Sequence, residues 1–353
     1  MKSVNALPVD MNMPLKRIDD YPAYLDAAWL EHLQPKPQTA PTVISTFAGA
    51  GGSSLGYSMA GFHELLAIEW DNNAVETFKL NFPDVPVYHG DIAKISVEYV
   101  LEMTGLQVGG LDVFDGSPPC QGFSTAGKRQ LDDPRNQLFR EYVRLLRGLK
   151  PKVFIMENVS GMVKGVMKLV FVEILKELKA SGYKVSARLL NAMYFGVPQS
   201  RQRMIFIGVR DDLGIEPSHP EAETEGIGSQ SAINEFELLG GPDLTDVSRK
   251  YWALMQYGES ASKYHPKGSL FGMVKLNPIK PSPTLLKSCG NPVCHYSQPR
   301  FLSKDELKRI ASFPDKFQTI GSIGSIRDRI GNSVPPLFMR SIARHVRKEI
   351  LDK

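Results

Sequence analysis

Three groups of residues have types and spacings suited to covalent chemistry on a heteroaromatic ring. Cys120 stands in Asp115-Gly-Ser-Pro-Pro-Cys-Gln-Gly-Phe-Ser124, directly after an apolar run. A lone cysteine is commonly inert core filler. Two prolines before it and a glycine after it instead make a turn that aims a thiol outward. A thiolate is a soft nucleophile suited to conjugate addition, and nearby cations or hydrogen-bond donors favour that form. Glu157 lies in Met156-Glu-Asn-Val159. A carboxyl group that stays protonated, or shares a proton, can stabilise charge pushed onto a ring nitrogen during such an addition. In Gln199-Ser-Arg201-Gln-Arg203 two guanidinium groups are spaced to leave an extended chain on one side. Such pairs also serve as surface salt bridges or phosphate clamps.

A second set of residues points to a nucleoside. The turn Phe47-Ala-Gly49-Ala-Gly51-Gly52-Ser-Ser54 follows one apolar run and precedes a helical pattern. Glycines there permit tight turning and close backbone approach to a ligand. Ser54 occupies the place where a dinucleotide fingerprint requires a third glycine, which argues against a nicotinamide dehydrogenase. Glu69 closes the next apolar run, where a carboxylate can accept hydrogen bonds from both ribose hydroxyls, and Trp70 beside it offers an aromatic face. Asp91 follows a third run; it suits an adenine amino group and equally suits an ordinary helix cap.

These residues need a scaffold that brings them together. Apolar runs at 43–47, 65–68, 85–88, 111–114, 153–156, 185–190 and 204–209 alternate with helical patterns at 72–80, 137–149 and 166–178. This alternation predicts an α/β fold with a mostly parallel sheet of about seven strands. Each polar signal up to Glu157 follows a run, so a parallel sheet gathers them at its carboxyl edge, where open α/β sheets bind ligands. After Val209 regularity fades into a Gly-, Pro- and Ser-rich stretch reaching Pro299, read as a separate small domain. Helices return at the C-terminus: Ser303 and Glu306 form a capping-box pattern, and Pro335 and Pro336 suit the first turn of a last helix ending near Leu351. Residues 1–41 hold one short helical pattern at 24–33 and a Pro-rich linker at 34–41. The expected organisation is therefore an extension at 1–41, a catalytic domain at 42–211, an irregular domain at 212–299 and returning helices at 300–353.

Composition narrows the partners. Forty-two Lys and Arg against 38 Asp and Glu leave a net charge of only +4, so distribution matters more than the total. Ten carboxylates and no Lys or Arg lie between Asp211 and Asp246, whereas residues 247–300 carry eight basic residues against Glu259 alone. Residues 128–152 hold eight cations and three carboxylates. Solvated helix surface is the commoner cause of such runs, but two of them beside one nucleophile favour a nucleic-acid substrate. No apolar run approaches the length of a membrane span and no secretory signal is evident, so a cytoplasmic location is expected. Cys289, Cys294 and His295 are three potential ligands where structural zinc wants four, and they are read as non-binding.

The ordered combination of FAGAGGSSLGYSMAGF, Glu69-Trp70, Asp91, SPPCQGFS, MENV, QSRQR and RIGNSVPP resembles the DNA cytosine-5 methyltransferase family from about Val43 to the C-terminus. The resemblance implies a Rossmann-like methyltransferase sheet using S-adenosylmethionine, with S-adenosylhomocysteine as product and no metal. It implies that Cys120 adds to C6 of a flipped-out cytosine, that Glu157 holds the N3 and amino edge, that Asn158 supports that strand end, and that Arg201 and Arg203 position base and Cys loop. Cofactor contacts carried over are Phe47, Gly49, Gly51, Glu69, Trp70, Asp91, Ile92, Pro118, Leu138, Asn332 and Ser333. The implied partner is double-stranded DNA, read by residues 212–299, with contact expected in the basic half and the acidic half turned to solvent. A bacterial or phage monomer, with or without a separate restriction endonuclease, fits the compact layout. An RNA methyltransferase acting on tRNA and a catalytically silent DNA-binding homologue are the alternatives.

Overall fold

The apolar runs of the first two thirds become strands β1 (Thr42–Thr46), β2 (His63–Glu69), β3 (Val87–His89), β4 (Val113–Gly116), β5 (Val153–Val159), β6 (Tyr183–Asn191), the short β7 (Gln199–Ser200) and β8 (Gln202–Arg210). Seven of them form one sheet in the order β3-β2-β1-β4-β5-β8-β6. β8 runs antiparallel to both neighbours and the remaining pairings are parallel. The computed structural model describes residues 14–119, 137–163, 167–233, 240–266, 272–287 and 293–353.

Side chains alternate across this sheet with the two-residue period of a strand, and both faces are covered. Val43, Val113, Ile155 and Ile207 enter one core with α1 (Tyr21–Leu33), α2 (Gly52–Met59), Phe78 of α3 (Asn72–Asn81) and the C-terminal helices. Ile44, Phe114, Phe154 and Phe206 enter the other, beneath α4 (Val97–Thr104), α5 (Gln137–Leu149) and α6 (Met167–Lys179). The strand order reverses between β1 and β4, so the crevice at their carboxyl ends is the switch point at which such sheets bind ligands.

The chain ends lock this arrangement. The capping box forms as the sequence predicts, with Ser303 accepting from the Glu306 amide and Glu306 from the Ser303 amide, at the start of α9 (Lys304–Ile310). Behind α10 (Ile323–Asn332), Pro336 opens α11 (Pro336–Val346), and a π turn continues to Leu351. The approach of this segment to α2 leaves no room for side chains: a Cβ on Gly52 would stand 2.4 Å from the Val334 carbonyl oxygen. The segment before Val43 is more than a linker. α1 buries Tyr21, Leu25, Ala28 and Trp29, and Glu31 pairs with Arg340 at 3.1 Å and Arg344 at 2.9 Å on α11.

The irregular region contains α7 (Ser229–Ala232), α8 (Asp246–Leu254), β9 (Val274–Lys275), β10 (Ser282–Pro283) and β11 (Val293–Cys294). The sequence reading made it a unit apart, and the structure divides it. Ile227, Ile233, Leu276, Leu285 and Tyr296 join the large core, while Leu244, Met255, Ala261, Met273 and Cys294 form a small cluster of their own. β10 pairs with β7 and thereby stitches the region to the main body.

The described carboxylates of the acidic stretch stand exposed, as expected, with Asp212, Glu216 and Glu221 pairing at the surface with Arg210, Lys184 and Arg188, and Glu223 accepting a hydrogen bond from Ser341 at 2.8 Å. Charge counting misplaced one feature. Arg300, counted among the basic residues available to DNA, is consumed by a buried two-pronged pair with Glu306 at 2.6 and 2.8 Å. Counting charges along a chain cannot reveal which cation a carboxylate meets from a distant strand.

Candidate active site

At the switch point a cavity of about 1180 Å³ opens between the turns that follow β1, β2, β3 and β4, the end of β5, and residues 325–334. Its walls collect nearly all the residues singled out in the sequence: Phe47, Gly49, Glu69, Trp70, Asp91 and Ile92 on one side, Pro118, Leu138, Glu157, Asn158, Arg201 and Arg203 on another, and Asn332 and Ser333 from the C-terminal segment. Gly51 does not line it. This residue has φ +93°, and a Cβ there would meet the Phe82 ring at 2.4 Å, so its part is to turn the chain into α2. Cys120 and Cys289 lie outside the described residues.

One side of the cavity is organised around Glu69. Its Oε2 accepts from the Gly49 amide at 2.7 Å, and its Oε1 accepts from the Trp70 and Asp71 amides at 2.8 and 2.9 Å. Three backbone donors hold the carboxylate still, and of the roughly four acceptor sites on its two oxygens about one is left for a ligand hydroxyl. Trp70 is 76% exposed, a large aromatic face left open beside the cavity. Phe47 adopts φ +55°, a strained setting for a side-chain-bearing residue that recurs at functional turns. The Asp91 side chain accepts from the Ala93 amide at 3.0 Å and caps a short 3₁₀ turn. Of the two uses of Asp91 that the sequence left open, the helix cap is the one seen, at a residue that also lines the cavity. An exposed aromatic, a rigid carboxylate and a glycine turn with open space before Gly49 fit an adenosine-bearing cofactor.

The other side holds the acid and the guanidinium groups. Glu157 is near the end of β5, and Arg203 opens the antiparallel β8; Arg203 Nε stands 2.7 Å from Glu157 Oε1 in a largely buried ion pair. Asn158 Nδ2 donates to the Pro118 carbonyl at 3.0 Å, which fixes the turn leading to Cys120 against β5. Arg201 is 2% exposed and donates to the Leu285 carbonyl at 3.0 Å and the Gly331 carbonyl at 2.8 Å. Burial, aided by the neighbouring Arg203 charge, pushes its guanidinium down to about 9. Arg201 therefore ties the irregular region to the C-terminal segment across the floor of the site. Thr284 donates to the Ser200 carbonyl at 2.8 Å, and the Leu285 amide donates to Gln199 Oε1 at 3.1 Å, so the Thr284-Leu285 element docks directly on the QSRQR segment.

Ser53 and Asp71, which sequence reasoning missed, also line the cavity, as do Lys287 of the basic stretch and Arg329, the first residue of RIGNSVPP. Arg329 faces Asp71 from α10, and its Nη1 donates to Ser325 at 2.7 Å. Cys294 sits in the small apolar cluster, where burial pushes its thiol up to about 12, and His295 lies against Glu306. Both are packed as interior residues.

Residues 41–239 and 243–348 match the family model for C-5 cytosine-specific DNA methylase. The chain is 37% identical over 325 residues to the Type II methyltransferase M1.HphI of Haemophilus parahaemolyticus, covering 87% of each chain. It is 30% identical over 370 residues to the Type II methyltransferase M.XorII of Xanthomonas oryzae pv. oryzae, covering 89% of this chain and 86% of that one. Among solved structures, an Escherichia coli prophage protein described as a DNA modification methyltransferase superposes with a TM-score of 0.75 at 23% identity, covering 89% of this chain and all of that one. DNMT2 of Spodoptera frugiperda superposes with a TM-score of 0.62 at 17% identity, covering 85% and 98%. These last two establish the likeness of fold. With the sheet order, the organised cavity and a family match over nearly the whole chain, the protein belongs to the C-5 cytosine-specific DNA methylase family and is a DNA (cytosine-5-)-methyltransferase.

Proposed function

We propose that the chain methylates C5 of a cytosine extruded from double-stranded DNA, through a transient bond between Cys120 Sγ and C6 of the base. The observation that carries this reading is the sharing of one cavity by Glu69 with Trp70 and by Glu157 with Arg203. A nucleoside-binding wall and an acid held by a guanidinium face the same space.

The Cys120 thiolate adds to C6, and the displaced electron pair moves through the ring. Glu157 holds the N3 and amino edge of the base and stabilises the charge that develops there, while Arg203 keeps its carboxyl in place. Asn158 fixes the Pro118 carbonyl and with it the turn that presents the thiol. S-adenosylmethionine, when bound, supplies the methyl group that C5 takes up, and Glu69, Trp70, Asp91, Asn332 and Ser333 are the residues that would hold it. Loss of the C5 proton and expulsion of the thiolate restore the aromatic ring. The reacting carbon atoms are out of reach inside a stacked duplex, so the base must leave the helix at a cost of a few kcal/mol. The relatives' Type II designation favours a bacterial cytoplasmic modification enzyme, with or without a separate restriction endonuclease.

An oligonucleotide duplex carrying 5-fluorocytosine at the target, with S-adenosylmethionine present, tests the chemistry. The fluorine cannot leave as a proton does, so a crosslinked species at Cys120 is expected and Cys120→Ser should form none. Labelled methyl transfer to duplex DNA and to tRNA separates the DNA reading from an RNA one; transfer to tRNA alone would overturn it.

A further inference from the structure

Behind the cofactor turn lies a set of polar groups that none of these steps uses. Asp115, inside β4, is 3% exposed, and Glu64, on β2, is 8% exposed. Among the described residues neither forms an ion pair. Asp115 Oδ1 accepts from the Tyr57 hydroxyl of α2 at 3.0 Å, and the Ser53 hydroxyl faces the same carboxyl group. Glu64 Oε1 accepts from Ser54 Oγ at 2.9 Å, and Ser45 of β1 lies beside it. The Asp115 main-chain carbonyl accepts from Thr46 Oγ1 at 2.9 Å. A buried acid without a cation is costly unless its oxygens are bonded or it keeps its proton.

Asp115 occupies a junction. Its side chain holds the first turns of α2, whose Ser53 lines the cofactor wall. Its main chain is held to the end of β1, and the next residues, Gly116 to Pro119, lead into the turn that carries Cys120. We propose that Asp115 is a positioning residue: through Tyr57, Ser53 and Thr46 it keeps the cofactor turn and the nucleophile turn in register with one another. The idea rests on the cofactor and thiol roles given above and adds a group that touches neither substrate.

The chemistry of the network supplies a readout that mere packing would not. Burial, with smaller contributions from Glu64 and Glu157, pushes the Asp115 carboxyl up to about 8, and burial raises Glu64 to about 7. The groups facing Asp115 are Tyr57 from α2, Glu64 from β2, Glu157 from β5 and Tyr142 from α5, all neutral or acidic. Near pH 7 the network therefore retains protons. Raising the pH to 9 places two carboxylates together under α2, and the relief open to them is displacement of its first turn and of Ser53 with it.

The test is equilibrium binding of S-adenosylhomocysteine, followed by tryptophan fluorescence, between pH 6.5 and 9.0. Wild-type affinity should fall about tenfold or more across that range. Asp115→Asn keeps an acceptor for Tyr57 and has no proton to lose, so it should bind within about threefold of wild type at pH 7 and lose the pH dependence. Tyr57→Phe removes a donor that favours the ionised acid, and it should move the midpoint to higher pH. Parallel titration of wild type and Asp115→Asn, or an unmoved midpoint in Tyr57→Phe, would overturn the positioning role while leaving the cofactor assignment standing. Failure of the wild type to bind S-adenosylhomocysteine at any pH would overturn both.

Discussion

Arg203 Nε lies 2.7 Å from Glu157 Oε1, diagonally across an antiparallel ladder in which Arg203 itself stands opposite Val159. The reversal of β8 is what makes this possible, because a parallel strand here would carry the QSRQR segment to the far edge of the sheet. The pair is fixed by two strands and faces the cavity, so its geometry exists before any base arrives. That is preorganisation in the sense that matters for charge developing on a ring.

Removal of either partner should therefore slow the chemical step with little change in cofactor binding. Arg203→Ala and Glu157→Gln are each expected to lower single-turnover methyl transfer by roughly 10²–10³-fold, the scale of losing one preorganised electrostatic contact. S-adenosylhomocysteine affinity should stay within a few-fold of wild type. A variant that loses cofactor binding and keeps its transfer rate would place the pair on the wrong side of the cavity.

Glu69 makes the complementary prediction. Its carboxylate is held by three backbone amides and keeps about one acceptor site open. Glu69→Ala removes a charged hydrogen-bond acceptor, about 1.5–3 kcal/mol, and should weaken S-adenosylhomocysteine binding by roughly 10- to 100-fold. Isothermal titration would measure it, and an affinity unchanged by the substitution would remove Glu69 from the cofactor wall.

Much of this site was legible in the sequence because its parts follow strands. Phe47, Glu69, Asp91 and Pro118 trail apolar runs, and parallel pairing alone brings such residues to one edge. What the sequence withheld depended on contacts between distant segments. Ser53 and Arg329 reach the cavity only because α2 and α10 meet there, and Arg201 reads as a surface or phosphate-binding arginine until Leu285 and Gly331 are seen to accept from it. The irregular region misled for a related reason. Its apolar residues have no regular period, so nothing in the chain marks Ile227, Leu276 and Leu285 for the large core and Leu244 and Met273 for the small one.

Arg201 should behave as a structural tie. Arg201→Met leaves the buried Leu285 and Gly331 carbonyls without donors, each costing about 1–3 kcal/mol, so a loss on the order of 2–5 kcal/mol in unfolding free energy is expected. Guanidinium denaturation would show it as a lowered midpoint. Because one of the lost bonds anchors the Thr284-Leu285 element, KM for DNA should rise more than the cofactor dissociation constant. A fully stable variant with an unchanged KM would contradict this role.

The pH dependence of stability on the acid side follows from two histidines, His32 half-buried and His219 buried. His32 meets Ser58 at 2.8 Å, and burial and then Lys36 push its imidazole down to about 4; His219 is pushed down to about 3 by burial, with Arg188 next. Both have folded values below the ordinary 6.5, so the unfolded chain binds more protons between roughly pH 6.5 and 4. Stability should consequently fall as pH drops through that window. His32→Gln and His219→Gln should each flatten the decline in melting temperature measured from pH 7 to 5. An equally steep decline in the double variant would assign acid lability to other groups.

The edge that meets DNA is best probed at cations with no ion pair among the described residues. Lys263 is paired with Glu259 and Arg300 with Glu306, whereas Lys287 lines the cavity mouth and Lys280 is exposed on the approach to β10. Each phosphate contact releases counterions, so Lys287→Ala should weaken duplex binding and reduce the slope of log K against log salt by about 0.9, and Lys280→Ala likewise. Glu225→Gln, in the acidic stretch, should leave the slope unchanged. Fluorescence anisotropy with a labelled duplex at several salt concentrations distinguishes the cases, because a lost phosphate contact changes the slope while a lost packing contact lowers affinity equally at all salts. If Glu225→Gln alters the slope and both lysine variants do not, the phosphate backbone runs along a different face from the one that opens toward Glu157.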